Sequence, residues 1–366
     1  MRACSGSFPA AAVLFALIAG LVPASPATPA PVPGDDDRVQ AAIPVPAVRP
    51  GFPLLGGGTP YSVGPTIVDL DADGFPEIIG LDDNGRFHVV NRFGDPFGGF
   101  TVDIGGVPSG PPAVGDVDYD GFVEIVTVAK NGKVRIFSNE GALEGFPIAS
   151  LPAAPVGGPV LTEIDRSGKL AIVVATVNGQ LHVLLPEGGY APGFPVSGGV
   201  EARSGAFVYI GPDNFPRLGF LGGSPSRARI FFTYAQPDTQ ASVTPGFEFG
   251  PAAAVAGARP IFGLNDADHL YLMGRQGGLR RLTPDPGVNT VSMTVLAGLP
   301  NDSVLVQPSL LDVTGDLVPE LGVMALRGDT LGIWLLDGES GLPLAGFPRR
   351  YLQAAAVGGI VCADVG

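Results

Sequence analysis

Between Pro65 and Phe100 apolar and polar positions alternate in a fixed order. An apolar run (Thr66-Ile67-Val68) is followed by an acidic, glycine-containing loop from Asp69 to Gly74, then by a second apolar run (Glu77-Ile78-Ile79). Next come a turn at Asp83-Asn84-Gly85, a third run from Arg86 to Asn91, and a Gly/Pro loop leading to a strand that starts near Phe100. Apolar runs this short, bounded by turn residues, are strand signals. Asn-Gly between two of them is the strongest short hairpin signal, and it returns at Asn131-Gly132 and Asn178-Gly179. The pattern predicts four short antiparallel strands per unit.

The unit repeats. Gly-Phe-Pro stands at Gly51-Phe52-Pro53, Gly145-Phe146-Pro147, Gly193-Phe194-Pro195 and Gly346-Phe347-Pro348, with imperfect copies at Gly99-Phe100 and Gly246-Phe247. From Phe100 onward the Phe-to-Phe spacings are 46, 48, 53 and 100 residues, the last being two periods. A period of just under fifty residues with hairpin turns inside it reads as a propeller blade, since parallel solenoid coils use shorter periods and no hairpins. First strands begin near Pro65, Pro111, Gly158, Ser204, Gly250 and Leu305, and Ala354–Gly366 parallels the start of the second unit. The predicted fold is all-β: a β-propeller of four-stranded antiparallel blades over residues 49–366, six blades plus the first strand of a seventh. Both ends then carry the same piece of the repeat, which is expected of a chain truncated at its C-terminus relative to a parent protein. Irregular docking of the last segment on a six-bladed ring is the other arrangement compatible with the pattern.

Composition removes two classes. Gly (55) and Pro (38) make up about a quarter of the 366 residues, against roughly 12% in average proteins, which excludes a mostly helical chain. The same excess accompanies disorder, but here 45% of residues are hydrophobic, only 15% are charged and mean hydropathy is +0.32. The formal charge of -14 disfavours nucleic acid and leaves cations as the natural ionic partner. At the N-terminus, Arg2, an apolar run from about Ala10 to Val22 and Val22-Pro23-Ala24 form a secretory signal pattern. Cleavage is expected after Ala24, leaving no stable membrane insertion and a secreted or cell-surface protein. The alternative, an uncleaved anchor, is opposed by an apolar run shorter than the ~20 residues a spanning helix needs. Residues 25–48 read as a Pro/Ala-rich linker. With Cys4 in the signal, Cys362 remains alone, so the fold is held without disulfides.

The acidic loops carry the candidate chemistry. Asp69, Asp71, Asp73 and Glu77 occupy loop positions one, three, five and nine, with Gly74 at six, and Asp116, Asp118, Asp120, Gly121 and Glu124 repeat the arrangement 47 residues later. Calcium takes six to eight hard oxygens, and alternate carboxylates in a tight glycine-bent loop supply several. The position-seven carbonyls of Phe75 and Phe122 are candidate further ligands. Magnesium, which holds its waters and demands octahedral geometry, fits less well. A purely structural role, in which Asp and Gly merely favour the turn, predicts scattered Asp and not three alternating acids followed by Glu. A third copy runs through Asp312, Thr314, Asp316 and Glu320, with a hydroxyl at position three and no Gly at six, and is expected to bind more weakly. Glu163 to Gly168 loses the ninth-position acid and gains Arg166 and Lys169. Tyr209 to Arg217 replaces that acid by Arg217, and Asn265 to Asp268 lacks the spacing. These three are expected to keep a turn without an ion.

The Asp-x-Asp-x-Asp-Gly-x-x-Glu loop between two apolar strands, repeated blade after blade, resembles the FG-GAP/VCBS family of β-propeller repeats, such as those of integrin α-chain heads. The resemblance covers roughly residues 50–366. It implies calcium in the loops between the first and second strands, commonly in extracellular binding or adhesion proteins. The departures in the third to fifth units put their metal sites in doubt and leave the fold untouched.

Few residues point to catalysis. His88 and His182 share one offset from Gly85 and Gly179, and Arg135 holds it in the second unit, which predicts a partly exposed strand face. No Gly-x-Ser-x-Gly elbow, phosphate loop or His-Glu-x-x-His pattern occurs. Trp334 and the 21 Phe are expected in the core. The expected function is a non-catalytic, calcium-binding scaffold for a protein or glycan ligand. The alternative is an extracellular polysaccharide lyase or hydrolase on the same propeller, for which Arg203, Arg217, Arg280 and Arg281 are the suggestive side chains.

Overall fold

A computed structural model describes residues 61–100, 103–142, 150–210, 215–223, 227–234, 249–256, 270–274, 277–284, 291–299 and 318–352 save 329, with short pieces at 13–15, 59, 303–304, 308–311, 313–314 and 362–364. Every strand pairing is antiparallel, and no helix occurs among these residues. The strands form small sheets that follow one another along the chain, each paired in sequence order.

The first sheet joins Thr66–Val68, Glu77–Leu81 and Phe87–Val90, and the second joins Ala113–Gly115, Glu124–Val128 and Val134–Ser138. The third has four strands, Pro155–Thr162, Ala171–Thr176, Gln180–Leu184 and Val196–Ser197. Phe207–Ile210, Pro216–Gly222 and Arg227–Phe232 make the fourth. In the fifth, Phe249–Ala256, Leu270–Gly274, Leu279–Pro284 and Val291–Leu296 pair in order. In the sixth, Glu320–Arg327 pairs with Ser303–Val304, Ser309–Leu311 and Thr330–Leu336, and the last of these with Arg349–Leu352. Four strands per unit are thus described in the third and fifth sheets, and the sixth exceeds four because its first strand is split in two. In the first sheet the described part of the fourth strand is a bridge from Arg86 to Asp103; the fourth strand expected near Phe146 lies outside the described residues. Cys362–Asp364, in the segment read as a seventh start, lies against Ser309–Leu311 and pairs with Val13–Phe15. The rest of residues 1–58 lies outside the described residues.

The second strands are mostly apolar after their first residues, because they are covered on both faces. Strand side chains alternate between faces. In the second sheet Ile125 joins the cluster with Ile79, Leu81 and Phe87 of the first, while its neighbour Val126 joins Ile172 and Val174 of the third. Within Ala171–Thr176, Ile172 and Val174 face the second sheet, and Val173 and Ala175 face Leu218 and Phe220 of the fourth. Consecutive sheets therefore stack face to face, with rings such as Phe87 and Phe137 meeting edge-on at 4.9 Å between them. Trp334 lies in the corresponding cluster between the fifth and sixth sheets.

Neighbouring units also touch at their first strands with an offset of one repeat. Thr66 Oγ1 donates to the Pro112 carbonyl (2.6 Å) and Ser109 Oγ to the Gly157 carbonyl (2.7 Å). Gly110 lies so close to Gly158 that a Cβ there would come within 2.0 Å of the Gly158 nitrogen. Only backbones without side chains approach this closely.

In the first three units the opposite end of the second strand is a three-residue hairpin loop, not the two-residue form that Asn-Gly most often makes. Asp82 N donates to Arg86 O and Gly85 N to Asp82 O, and the glycine alone takes positive φ (80°). This is a type I turn closed by a glycine bulge. Gly85, Gly132, Gly179 and Gly277 have a second duty. Their carbonyls accept the amides of Ile104, Leu151, Gly198 and Leu299 at 2.7 to 2.9 Å, which docks the outgoing chain on the hairpin. The Gly-Phe-Pro units enter the outer strand: a turn at Gly193 and another at Gly346 precede Val196–Ser197 and Arg349–Leu352, with Phe194 buried.

Candidate metal centres

Each acidic loop joins the first strand of a sheet to its second. Position nine always stands opposite the last residue of the first strand: Glu77 faces Val68, Glu124 faces Gly115 and Glu320 faces Leu311. The carboxylate at position one then winds the chain. Asp69 Oδ1 and Oδ2 accept the amides of Asp73 (3.1 Å) and Gly74 (2.9 Å), and Asp116 does the same for Asp120 and Gly121 at 3.0 and 2.9 Å. This wrapping forces positive φ at position six, where glycine is suited to it, and at position four, where Ala72 (60°), Tyr119 (68°) and Arg166 (61°) accept a strained backbone. Glu163 accepts Gly168 N at 2.9 Å in the third loop, so the same winding persists where the acid set has been lost.

The wound loops bring three carboxylates together in each of the first two units. One oxygen each from Asp69, Asp71 and Glu77 lies within 4.8 Å of the others, and so does one each from Asp116, Asp118 and Glu124. Asp73 and Asp120 are not in these triads. They turn back instead, each accepting the position-seven amide of Phe75 or Phe122 at 2.8 Å. In the sixth loop Thr314 Oγ1 donates to Glu320 Oε1 (3.1 Å), and Val313 N donates to Oε2 (2.6 Å), so hydroxyl and carboxylate satisfy each other. Asp312 and Asp316 lie outside the described residues.

The ninth-position acids sit in an unusual electrostatic setting. Glu77 and Glu124 are buried, and each uses Oε2 to accept one amide, from Leu70 (2.9 Å) or Val117 (2.8 Å). Burial pushes the Glu124 carboxyl up to about 7; the Val117 amide opposes this, and the carboxylates of Asp118, Asp120 and Asp116 add to it. Glu77 is raised for the same reasons. Buried acids crowded by like charge and by few donors are short of positive charge. A hard cation of the size of calcium, which collects carboxylate oxygens, fits that deficit.

Arg217 occupies position nine of the fourth unit, opposite Tyr209. It is fully buried, with its guanidinium 4.0 Å over the Phe232 ring and Nη1 donating to Phe215 O. Arg281 donates to Gly338 O. Two of the four arginines considered for catalysis therefore serve packing.

The shared offset of His88 and His182 does not mean a shared environment. His88 is partly exposed and meets Asp82 Oδ2 at 3.2 Å, whereas His182 is fully buried between Thr176 Oγ1 and Tyr190 OH, both at 3.2 Å. The expectation of an exposed face fails for His182 because the third sheet is covered on both faces and the second strand there offers a hydroxyl as partner. Burial lowers the His182 pKa from 6.5 to about 4. The unfolded chain then binds a proton that the fold refuses between these values, so stability is complete above pH 6.5 and declines as pH falls toward 4. The raised Glu124 and Glu77 carboxyls act in the opposite sense over the same range, so the His182 contribution is read as the difference in melting between wild type and His182→Gln, and the wild-type advantage is expected to shrink as pH falls from 7.5 to 4.5. An unchanged slope in the variant would assign the acid lability elsewhere.

No family model matches the chain, and no curated protein is similar to it in sequence. Solved structures do match its fold. The chain is similar to the BP39L lectin from Burkholderia pseudomallei (15% identity, 76% of this chain and 82% of that one, TM-score 0.52). It is equally similar to BBS1N, crystallised in complex with ARL6DN (15% identity, 81% and 87%, TM-score 0.51). At these identities the likeness concerns the fold alone, and together with the stacked antiparallel sheets it makes this an all-β, propeller-like chain.

Proposed function

We propose that this chain is an exported, calcium-stabilised β-propeller of the FG-GAP/VCBS kind, six blades with the opening strand of a seventh, acting as a non-catalytic binding or adhesion scaffold. The observation that carries the reading is the duplicated triad: Asp69, Asp71 and Glu77, and Asp116, Asp118 and Glu124, each within 4.8 Å and each containing a buried glutamate. Calcium held there would tie the end of the first strand to the start of the second in two adjacent sheets. A binding role is supported by the propeller-like neighbours, one a lectin and one crystallised with a protein partner.

Calorimetric titration of the full chain with calcium tests the metal. Two sites are expected, with Asp71→Asn and Asp118→Asn each removing one, and a flat titration of the wild type would refute the reading. Export is tested by sequencing the N-terminus of the secreted protein, where residue 25 is expected first.

A further inference from the structure

Antiparallel order places the acidic loops and the turns after the third strands at one end of the sheets, and the glycine hairpins at the other. Among the described residues the exposed aromatic side chains are confined to the first end, and Phe75, Phe93, Phe122 and Phe215 depart there from the core position expected of phenylalanine. Phe75, Tyr119, Phe122 and Phe215 lie in the loops between first and second strands, with Tyr119 and Phe122 the most open at 71% and 64%. Phe93, Tyr190 and Tyr234 lie in or beside the turns after the third strands. At the hairpin end the large exposed apolar side chains among the described residues are Val107, Val177 and Val295, none of them aromatic.

Some of these rings meet the neighbouring loops or their arginines. The Tyr119 ring lies against Gly168 of the next loop, where a Cβ would meet it at 3.0 Å. Arg166 of that loop reaches the Phe215 ring of the following one at 4.9 Å, and Leu170 N donates to Val117 O. In the first unit Arg92 stacks on Phe75 at 3.4 Å and approaches Phe93 at 4.8 Å. Exposed aromatic faces attract guanidinium and ammonium groups, and Tyr119 and Phe122 are the most open to them.

The charge at this end selects the partner. Against Arg92, Arg166 and Lys169 stand the loop aspartates and the exposed turn carboxylates Asp95, Glu140, Glu187 and Glu339. Two divalent cations in the loops would leave this end negative. A neutral sugar gains nothing from such a potential, whereas Lys and Arg side chains gain both ring faces and carboxylates.

We infer that the acidic-loop end is a docking face for a basic segment of a partner protein, with Tyr119, Phe122 and Phe215 as its aromatic anchors. This rests on the binding-scaffold reading above and deepens it. The face buries rings against cationic side chains, in the manner of protein interfaces enriched in aromatic residues and arginine.

Fluorescence anisotropy of three labelled probes, titrated with the full calcium-loaded chain, tests it: a Lys/Arg-rich decapeptide, a Glu-rich decapeptide and a neutral oligosaccharide. The basic peptide is expected to bind saturably and to weaken about tenfold between about 50 and about 300 mM salt; the other two are expected not to bind. The triple variant Tyr119→Ser, Phe122→Ser, Phe215→Ser should lose about tenfold in affinity, about 1.4 kcal/mol, at an unchanged melting temperature, while Val107→Ser with Val177→Ser should leave binding intact. Absence of basic-peptide binding, preference for the oligosaccharide, or indifference to the triple variant overturns the assignment. Loss of binding in the valine variant alone would move the face to the hairpin end and leave the scaffold reading standing. That reading is judged separately, by calcium titration.

Discussion

Replacing Gly179 by alanine is expected to lower the melting temperature by roughly 5 °C, corresponding to on the order of 3 to 4 kcal/mol. Two costs add. The residue sits at φ 76°, in the left-handed region, and its new Cβ would lie 1.6 Å from the Val200 carbonyl oxygen. That oxygen belongs to the backbone segment that the Gly179 carbonyl itself anchors through Gly198 N, so the clash cannot be relieved without undocking the outer strand. Gly74 is the control. It also has positive φ (87°), but a Cβ there meets nothing within 4 Å, so Gly74→Ala should cost only about 1 kcal/mol from backbone strain. Equal losses in the two variants, measured by thermal or urea unfolding, would show that the outer strand is not held at the hairpin.

The second large effect is a gap between melting in calcium and in chelator. Extracellular calcium modules bind at roughly 0.1 to 1 mM. A site of about 0.1 mM affinity in about 1 mM calcium stabilises the fold by RT ln(1 + [L]/Kd), about 1.4 kcal/mol, and two sites by about 3 kcal/mol. The gap should be on the order of 5 °C or more. Asp71→Asn with Asp118→Asn should close it, because each removes one member of a carboxylate triad. Asp165→Asn should leave it unchanged, since position nine of that loop is Ala171. Superimposable curves in calcium and chelator would remove the metal from the account; a gap that survives the double variant would place it elsewhere.

Both expectations draw on features that were legible in the chain to different depths. The acidic-loop repeat was readable because the winding is local: a carboxylate at position one can reach only the amides four and five residues on. Which acids converge was not readable. Position five alternates with positions one and three in sequence, yet Asp73 and Asp120 satisfy a nearby amide and leave the triad to the glutamate. The contrast between His88 and His182 was equally hidden, because burial depends on what the neighbouring sheet presents. So was the role of Arg217, buried where other units carry an acid.

The sequence by itself determined the all-β class, the 47-residue phase of loops and hairpins, and the glycine positions of those turns. Those are set by short-range sterics and hydrogen bonds, which recur wherever the local residues recur. Only the tertiary structure decided that the second strands are buried on both faces, that Tyr119 rests on the next loop, and that exposed rings gather at one end. Each of these depends on contacts between residues about one repeat apart, whose relative position is fixed by the stacking of whole sheets.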